Sequence, residues 1–470
     1  MNQMCGRSDY LKRKIVRAAL VIKNYLDCRE DYTMSYSTEV KQKLLSIITE
    51  MDSYRWLFTK NPETDFSRKK KWSFEEIMKF MLTMEGKALR DELLEYFDFD
   101  SSTPSNSAFN QRRAQILPEA FEFLFQEFTK SFNDNAAYKG LRLIACDGSD
   151  LCIANNPKDE TTYFQPLPDR KGSNQLHLNA FYDLCSRRYT DAVIQPARLK
   201  NENSAMCELI DRYSGQTAIF IADRGYENYN IFAHAEHKGM YYLIRVKDVT
   251  SNGIASGLTM LPESDEFDEW VNLTLTKKQT DEVKANPQKY RIIMKKTPFD
   301  YLDLHSNKFY EIKMRVVRFP ISQDSYECII TNLPQEKFSS DEIKQLYAKR
   351  WGIETSFREL KYALGLTRFH AKKPEYIVQE IWSRMTLYNF CEIIATNVVV
   401  KQKAGCKHIY QLNYTRAMRI CCHFLSIKKE KAPPDVEYLI GHELLPVRSG
   451  RTDPRKVKSQ SAISFLYRAA

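Results

Sequence analysis

Two short, mainly apolar runs, each ending at an aspartate, constrain the fold of this chain more than any other feature. Residues 141–146 are followed by Asp147, and residues 218–222 are followed by Asp223. Short apolar runs bounded by turn residues are typical of strands buried inside a sheet, so each aspartate is expected at the carboxyl end of a strand. Taken alone, either aspartate is more typical of a turn or a helix cap, because a glycine follows closely in both places.

The segments between and after these aspartates alternate between strand and helix patterns. They predict a hairpin, a helix, the strand before Asp223, a second helix and a further strand, at residues 175–182 with 189–194, 203–213, 218–222, 227–238 and 240–246. The order strand, strand, strand, helix, strand, helix, strand places the two aspartates at neighbouring strand ends. A third acid at the same place has to come from a later helix packed against that sheet.

One predicted helix near residue 350 carries a polar stripe that includes such an acid. Tyr347, Arg350, Glu354 and Lys361 follow the spacing Y-x(2)-R-x(3)-E-x(6)-K. At about 100° per residue these four side chains fall within about 60° of one another. The alternative interpretation is a solvated helix face whose charges pair at i, i+4 spacing.

The two aspartates followed by this stripe resemble the bacterial insertion-sequence transposases with an Asp-Asp-Glu triad, specifically the family called insertion sequence four. The resemblance implies an α/β fold, with a ribonuclease-H-like, mixed-sheet catalytic core. It also implies that Asp147, Asp223 and Glu354 are the catalytic residues and the metal ligands. Carboxylates are hard oxygen ligands that suit Mg²⁺ or Mn²⁺, and two such ions are expected.

The resemblance also predicts the residues that hold DNA. Tyr347, Arg350 and Lys361 are expected to bind phosphate oxygens around the cleaved strand. Arg358 lies within the stripe but outside the motif, so it ranks below them. Family members that cut through a DNA hairpin stack a flipped base on a tryptophan before the motif helix. Tyr326 stands at the matching place in this chain, and its ring also offers a π-face.

The chain divides into five predicted regions. They are a helical, DNA-binding region (1–135), the first part of the ribonuclease-H-like core (136–246), an inserted β-subdomain (247–333), the completion of the core with the motif helix (334–400), and a helical, basic carboxyl-terminal region (401–470). The insertion is assigned from several short alternating runs. The alternative for this segment is a peripheral sheet without DNA contacts.

The amino-terminal region is predicted to be separate from the sheet. Ser73 and Glu76 form a capping-box pattern before a helix at 77–82, and further helices are expected at 88–96 and 108–116. The last of these bears Arg112 and Arg113, which could enter a DNA major groove. An ordinary helical bundle with solvated polar faces explains the same pattern.

Charge supports an anionic partner. The chain has a formal net charge of +10, and residues 401–470 contain 14 Lys and Arg against 5 Asp and Glu. Such a surplus is typical of a segment that tracks phosphates, although a solubilising tail has a similar charge. The resemblance implies which partners these are: double-stranded DNA, comprising the terminal inverted repeats and the target, and a second copy of the chain in a synaptic complex.

The remaining composition favours a cytoplasmic protein, and the resemblance implies association with the bacterial nucleoid. Eleven cysteines occur without any C-x-x-C pair, so they are expected to be reduced and mostly buried. No apolar run approaches the roughly 18 to 20 residues of a membrane span, and no secretory signal is recognised.

The function predicted from these patterns is cut-and-paste transposition of an insertion sequence by metal-dependent DNA cleavage and strand transfer. Two alternatives stay open at this point. A nuclease with the same triad would cleave DNA without strand transfer. A non-enzymatic DNA-binding protein derived from a transposase would be expected to have lost an acid, whereas all three are present here.

Overall fold

The structure is a computed structural model. It describes residues 35–68, 70–132, 134–165, 169, 171–303, 308–322, 325–400, 402, 405, 408–427 and 434–447. The basic strip at the carboxyl end, from residue 448 onward, lies outside the described residues, as do residues 1–34.

Ten strands form one mixed sheet. They are β1 (Arg142–Cys152), β2 (Tyr163–Phe164), β3 (Ser173–Asp183), β4 (Arg188–Pro196), β5 (Ala218–Ala222), β6 (Tyr241–Val246), β7 (Phe267–Thr276), β8 (Tyr290–Ile292), β9 (Tyr310–Ser322) and β10 (Ser325–Thr331). The order across the sheet is β2, β3, β1, β5, β6, β10, β9, β7, β8, and β4 pairs with β3. Two further short strands, β11 (Tyr410–Leu412) and β12 (Leu444–Pro446), pair with each other.

The helices surround this sheet. They are α1 (Tyr36–Ser53), α2 (Phe74–Thr83), α3 (Leu89–Tyr96), α4 (Asn106–Arg113), α5 (Pro118–Lys130), α6 (Glu202–Arg212), α7 (Tyr229–His237), α8 (Asp281–Ala285), α9 (Ser340–Lys349), α10 (Trp351–Tyr362), α11 (Pro374–Thr396), α12 (Tyr414–Ser426) and α13 (Val436–His442). None of the helices in the described parts of the chain is long and apolar enough to cross a membrane.

The predicted order of strands and helices around the aspartates is confirmed. β1, β3 and β4 are antiparallel neighbours, while β5 and β6 continue from β1 in parallel. Helices α6 and α7 fall where the sequence predicts them, and the structure adds only the two-residue strand β2. The fold is therefore of the α/β class, with a large mixed sheet.

The predicted end of the first strand is wrong. β1 does not stop before Asp147 but continues to Cys152, because β3 remains its antiparallel partner and places Ala180 opposite Asp147. Pairing between β1 and β5 ends earlier, at Ala145 and Ile221. Asp147 therefore lies just beyond the parallel pairing, and Asp223 directly follows β5, so both acids lie at one edge of the parallel strands.

The segment between residues 247 and 333 is β-rich as expected, but its strands extend the central sheet. β10 pairs with the free side of β6, and β9, β7 and β8 follow in turn. The predicted run at 290–295 forms a strand only over its first three residues.

The amino-terminal region is helical, and its first predicted cap is confirmed. The Ser73 side chain accepts a hydrogen bond from the Glu76 backbone N–H at 3.1 Å. Helix α4 begins after Ser105 and ends at Arg113, three residues earlier than predicted. The turn that follows returns the chain to Phe58, whose carbonyl accepts a hydrogen bond from the Leu117 N–H.

The prediction that this region is separate from the sheet is wrong. Apolar residues of α1, α2 and α5 share one core with α11, α12, α13 and one face of β1, β3 and β4. Phe125 on α5 packs against Trp382 on α11, with ring centroids 5.2 Å apart. Tyr182 on β3 and Tyr388 on α11 meet through their hydroxyl groups at 3.1 Å. Helix α11 is buried along nearly its whole length because it lies between the other helices and the sheet.

The outer side of β4 is closed by a side chain of α11. The Tyr189 backbone N–H donates to Asn389 Oδ1 at 3.0 Å, and Asn389 Nδ2 donates to the Tyr189 carbonyl at 2.8 Å. The Asn389 amide thus occupies the position that a neighbouring strand would take.

The cysteine prediction is confirmed for the residues that the structure describes. Eight cysteines lie in the described ranges, all of them free, and five of these are buried.

Candidate active site

The predicted motif helix is two helices rather than one. α9 ends at Lys349 and α10 begins at Trp351, with Arg350 between them. The Arg350 N–H bonds to the Tyr347 carbonyl, and the Ile353 N–H bonds to the Arg350 carbonyl, so the chain makes i to i−3 hydrogen bonds here. Bonds of this kind tighten the turn and break the regular α-helical pattern at Arg350.

Helix α10 is fixed against the sheet and α11 by buried hydrogen bonds. Ser356 Oγ and the Tyr189 hydroxyl are 2.8 Å apart, and the Tyr388 hydroxyl donates to Glu359 at 3.1 Å. These contacts hold the first turn of α10, and with it Glu354, over the edge where Asp147 lies.

A guanidinium group joins two of the three acids. Arg350 Nη2 donates to Glu354 Oε1 at 2.7 Å, and Arg350 Nη1 lies 3.9 Å from Asp147 Oδ2. Arg350 is 4% exposed, whereas the side chains of Asp147 and Glu354 are 24% and 33% exposed. The carboxylates therefore reach solvent and the cation between them does not.

Asp223 and Glu354 are close enough to Asp147 to influence its ionisation. The pKa of Asp147 is raised from 3.8 to about 6, mainly by burial. The Gly148 N–H, which bonds to Asp147 Oδ1 at 2.8 Å, and Arg350 both oppose this rise. The negative charges of Asp223 and Glu354 add to it. The structure thus brings together the three acids that the sequence predicted.

The donor chemistry of these acids fits a hard divalent cation, because all of the donors are carboxylate oxygens. Among the described residues, however, no three His, Cys, Asp or Glu side chains are close enough to hold one ion together. Arg350 lies between two of the three carboxylates. Side-chain rotation is therefore needed before Asp147, Asp223 and Glu354 could share an ion.

Sequence comparison identifies the family. The family model described as "Transposase DDE domain" matches residues 139–390, which is more than half of the chain and includes all three acids. The chain belongs to this transposase family. The family implies DNA cleavage and strand transfer that depend on a divalent metal ion.

Individual relatives of this transposase are distant. The transposase InsG for insertion sequence element IS4 of Escherichia coli is 20% identical over 75% of this chain and 76% of its own length. A putative transposase for insertion sequence element IS4SA of Synechocystis is 31% identical over 23% of this chain and 32% of its own length. The cryo-EM structure of a piggyBac transposase synaptic complex with hairpin DNA has a TM-score of 0.43 and 11% identity, over 90% of this chain and 85% of that chain.

The remaining stripe residues of the transposase do not form one exposed face. Tyr347 is 4% exposed, and its hydroxyl has no hydrogen-bond partner among the described residues. Lys361 Nζ donates to the Asp150 carbonyl at 3.1 Å. Arg358 is exposed. The interpretation as a solvated face therefore fails for Tyr347 and Arg350, which are buried. Its expected pairing of charges at i, i+4 spacing is confirmed for Arg350 and Glu354.

The prediction that Arg113 binds DNA is wrong. Arg113 is 1% exposed and donates to Glu380 Oε1 at 3.0 Å, to Gln379 Oε1 and to the Tyr376 carbonyl. The partly buried Arg112 donates to the Trp72 carbonyl at 3.1 Å, and its guanidinium lies over the Phe66 ring. Both arginines hold the helical region together, and Arg113 is inaccessible to a DNA phosphate.

Tyr326 lies at the same edge of the sheet as Asp223, and its role in stacking a base stays a prediction. It is the second residue of β10, which pairs antiparallel with β6 so that Cys328 lies opposite Val246 at the carboxyl end of β6. β6 is parallel to β5, so the start of β10 shares an edge with Asp223. The Arg318 guanidinium carbon lies 3.9 Å from the centroid of the Tyr326 ring and covers one of its faces.

Sequence analysis missed a polar group beside the triad. His177 on β3, Asp150 on β1, and Lys200 and Glu202 at the start of α6 contact one another next to Gly148. The available signal was His177 itself, because a histidine between two leucines in a buried strand needs polar partners. The partners could not be identified from the sequence, because Asp150 and Glu202 lie 27 residues before and 25 residues after it.

Proposed function

We propose that the chain is the transposase of an insertion sequence and that Asp147, Asp223 and Glu354 are its catalytic, metal-binding triad. The observation that carries this proposal is the meeting of the three acids at one edge of the sheet, with Arg350 between two of them. The strand order around β1 supports a ribonuclease-H-like core. The named function of InsG, whose alignment spans three quarters of this chain, supports the insertion sequence as substrate.

The ligands we propose are suited to Mg²⁺ or Mn²⁺, with two ions per site. Bound there, two such ions supply activation of the attacking oxygen and stabilisation of the leaving oxygen in an in-line phosphoryl displacement. The three carboxylates hold and orient the ions, and their carboxylate form is the one that binds. No covalent intermediate with the protein is required.

The cations of the motif have a second role in this proposal. Arg350 neutralises Asp147 and Glu354 in the free protein. The side-chain rotation that lets the acids share an ion also uncovers this guanidinium, and a DNA phosphate then offers it a bidentate partner. Lys361 and Arg358, on the same helix, extend the positive surface along α10. Tyr347 positions Arg350 from below, because its ring centroid lies 5.6 Å from the guanidinium carbon.

DNA contacts outside the core are proposed for two regions. In the first region (1–135), Asn110 and Gln111 on α4 and the described residues of the basic run 68–71 are exposed. The second is the basic region 401–470. The proposed DNA partners are the terminal inverted repeats and the target, held by two copies of the chain in a synaptic complex. The divisions at residues 135, 246, 333 and 400 are retained as proposed boundaries of function, although the sheet is continuous across residue 246.

The proposal is tested with Asp147→Ala, Asp223→Ala and Glu354→Ala on a labelled duplex that carries the element end, with a target plasmid. We expect each variant to lose cleavage in both Mg²⁺ and Mn²⁺ while it still binds the duplex. Asp281→Ala is the matched control, because Asp281 is an exposed acid in the insertion. A triad variant that cleaves at the rate of the control excludes that residue. Cleavage by the unmodified protein without strand transfer would identify a nuclease instead.

A further inference from the structure

A fourth carboxylate lies beside the proposed triad. Glu202 is the first residue of α6, and its two oxygens lie near the glycines that follow the two aspartates. A Cβ atom built on Gly148 would lie 3.0 Å from Glu202 Oε1. A Cβ atom built on Gly225 would lie 3.1 Å from Asp223 Oδ1 and 3.6 Å from Glu202 Oε2. Glu202 Oε2 and Asp223 Oδ1 therefore border the same small space at Gly225, whereas the missing side chain of Gly148 makes room for the His177 ring.

Two side chains hold Glu202 through one of its oxygens. His177 is 1% exposed, and its Nε2 lies 3.1 Å from Glu202 Oε1 without the alignment of a hydrogen bond. Lys200 Nζ approaches the same oxygen at 3.1 Å. Asp150 Oδ1 is 2.5 Å from His177 Nδ1 and fixes the ring. Both side chains thus contact Oε1, and Oε2 is the oxygen that borders Gly225.

Glu202 has more side-chain partners than its place in the helix requires, and it remains accessible. Its side chain is 30% exposed, so an ion arriving from solvent can reach it. A buried histidine and a lysine around one carboxylate are more than an ordinary helix start requires, since Asn201 already caps α6 by accepting a hydrogen bond from the Ser204 N–H at 3.0 Å.

We propose that Glu202 is a further oxygen ligand of the divalent metal centre on the Asp223 side, positioned by His177. This inference rests on the proposed function of the triad. Mg²⁺ and Mn²⁺ prefer carboxylate oxygens as ligands. The contacts with His177 and Lys200 are made by Oε1, and they leave Oε2 on the side of Gly225 and Asp223.

The test measures Mn²⁺ binding directly, from the electron paramagnetic resonance signal of free Mn²⁺ titrated into the metal-free, full-length protein. We expect Glu202→Gln to weaken Mn²⁺ binding at least tenfold. The matched control is Glu208→Gln, which removes the same charge from the same helix where it pairs with Arg212 at 3.1 Å. The control should stay within twofold of the unmodified protein.

Two further variants separate ligation from folding. Glu202→Asp keeps the charge but shortens the side chain, so it should also weaken binding if Oε2 is a ligand. His177→Gln should weaken binding less than Glu202→Gln, because it removes an anchor and not a ligand. If Glu202→Gln unfolds at a lower temperature than Glu208→Gln in EDTA, its weaker Mn²⁺ binding can result from a destabilised fold. The Mn²⁺ affinity of Glu202→Asp then decides whether Glu202 is a ligand.

The outcomes distinguish this inference from the proposal on which it rests. Wild-type Mn²⁺ affinity in both Glu202 variants, with weakened binding in Asp223→Asn, overturns the role of Glu202 alone. Wild-type affinity in Asp147→Asn and Asp223→Asn overturns the proposed triad. Weakened binding in the Asp223 and Glu202 variants, with none in Glu208→Gln, supports both.

Discussion

Asp147 shows at the scale of a single residue how burial of a carboxyl group lowers the free energy of unfolding. Its carboxyl group is largely buried beside two other acids, and its pKa is raised to about 6. A carboxyl whose pKa is higher in the folded protein binds protons more readily when folded. The free energy of unfolding therefore falls as the pH rises from about 4 to about 6, and it stays lowered above that range.

Replacing this carboxyl should stabilise the protein. We expect Asp147→Asn, measured by urea unfolding in EDTA, to be more stable than the unmodified protein at pH 7 by on the order of 2 kcal/mol. The difference in stability should vanish below about pH 4, where this carboxyl group is protonated in the folded and in the unfolded protein. An equal or lower stability at pH 7 would contradict the burial that raises this pKa.

The opposite effect on the free energy of unfolding is expected when Asp268 is replaced. Burial alone would raise the pKa of Asp268, but hydrogen bonds from Arg315 and Ser340 outweigh burial and lower it. The carboxylate form is then favoured by folding, so Asp268→Asn should be less stable than the unmodified protein at pH 7. Asp268→Asn, measured by the same urea unfolding in EDTA, is therefore the control for Asp147→Asn.

Arg113 is the second residue whose environment decides its effect. Its ion pair with Glu380 is buried, and the pKa of Glu380 is lowered to about 2 because Arg113 and His370 outweigh burial. Removing one partner leaves an unpaired buried charge. We expect Arg113→Met to lower the free energy of unfolding by about 3 to 5 kcal/mol.

The control for Arg113 is Gln111→Ala, an exposed position on the same helix, which should change stability by less than about 0.5 kcal/mol. Stability is measured by urea unfolding, and DNA affinity is measured on the folded fraction. Unchanged stability with lost DNA affinity would restore the role in DNA binding that the sequence suggested.

These residues show which features of the site can be predicted from the sequence. Asp147 and Asp223 were predicted because the apolar runs that place them are local. Arg113 was misassigned because its partner Glu380 lies 267 residues away. Glu202 was missed for the same reason, since its neighbours Gly148 and His177 come from strands that the sequence cannot align with α6.

At the scale of secondary structure, most strands and helices were predictable and several of their ends were not. Hydrophobic periodicity located β3, β4, α6, β5 and β6 within a few residues. The end of β1 depends on how far β3 accompanies it, and the break at Arg350 depends on how α10 packs against β4 and α11. Both are tertiary effects that override local pattern.

Tyr326 lies on β10, the strand that joins the predicted insertion to β6. An extruded base needs a π-surface to offset unstacking, which costs a few kcal/mol. If excision passes through a DNA hairpin, Tyr326→Ala should reduce hairpin formation much more than first-strand nicking, since the nick precedes the bend. Tyr326→Trp should keep or improve hairpin formation. Nicked, hairpin and double-strand-break products are followed over time on a labelled end.

Trp270→Ala is the control for Tyr326, because Trp270 is another aromatic residue of the same sheet, on β7 beneath Lys313. It should leave the ratio of hairpin to nick unchanged. Equal loss of nick and hairpin in Tyr326→Ala would indicate a packing role. An unmodified protein that forms no hairpin would exclude base stacking by Tyr326.

At the scale of the whole molecule, the amino-terminal helices share a core with one face of the sheet. This core joins α1, α2 and α5 to β1, β3 and β4, and α11 contacts both, while the rest of the sheet packs in separate clusters. We expect a fragment of residues 136–447 to aggregate or to lose its sharp urea transition, because it exposes the face of α11 that packs on α5. A fragment of residues 35–447 keeps α1 to α5 and should unfold in one transition by circular dichroism and by tryptophan fluorescence. A monomeric, cooperatively unfolding 136–447 fragment would contradict this.

The Asn389 contact on β4 has a consequence for self-association. An unpaired strand edge is a template on which another chain can add a strand, and proteins suppress it by covering or shortening the edge. Here the backbone of Tyr189 already bonds to the Asn389 amide, and the sheet ends on the opposite side at the three-residue strand β8. The β4 edge is thus blocked at Tyr189, and β8 offers only three residues to an added strand. Both features lower the tendency of the protein to aggregate by strand addition at the borders of its sheet.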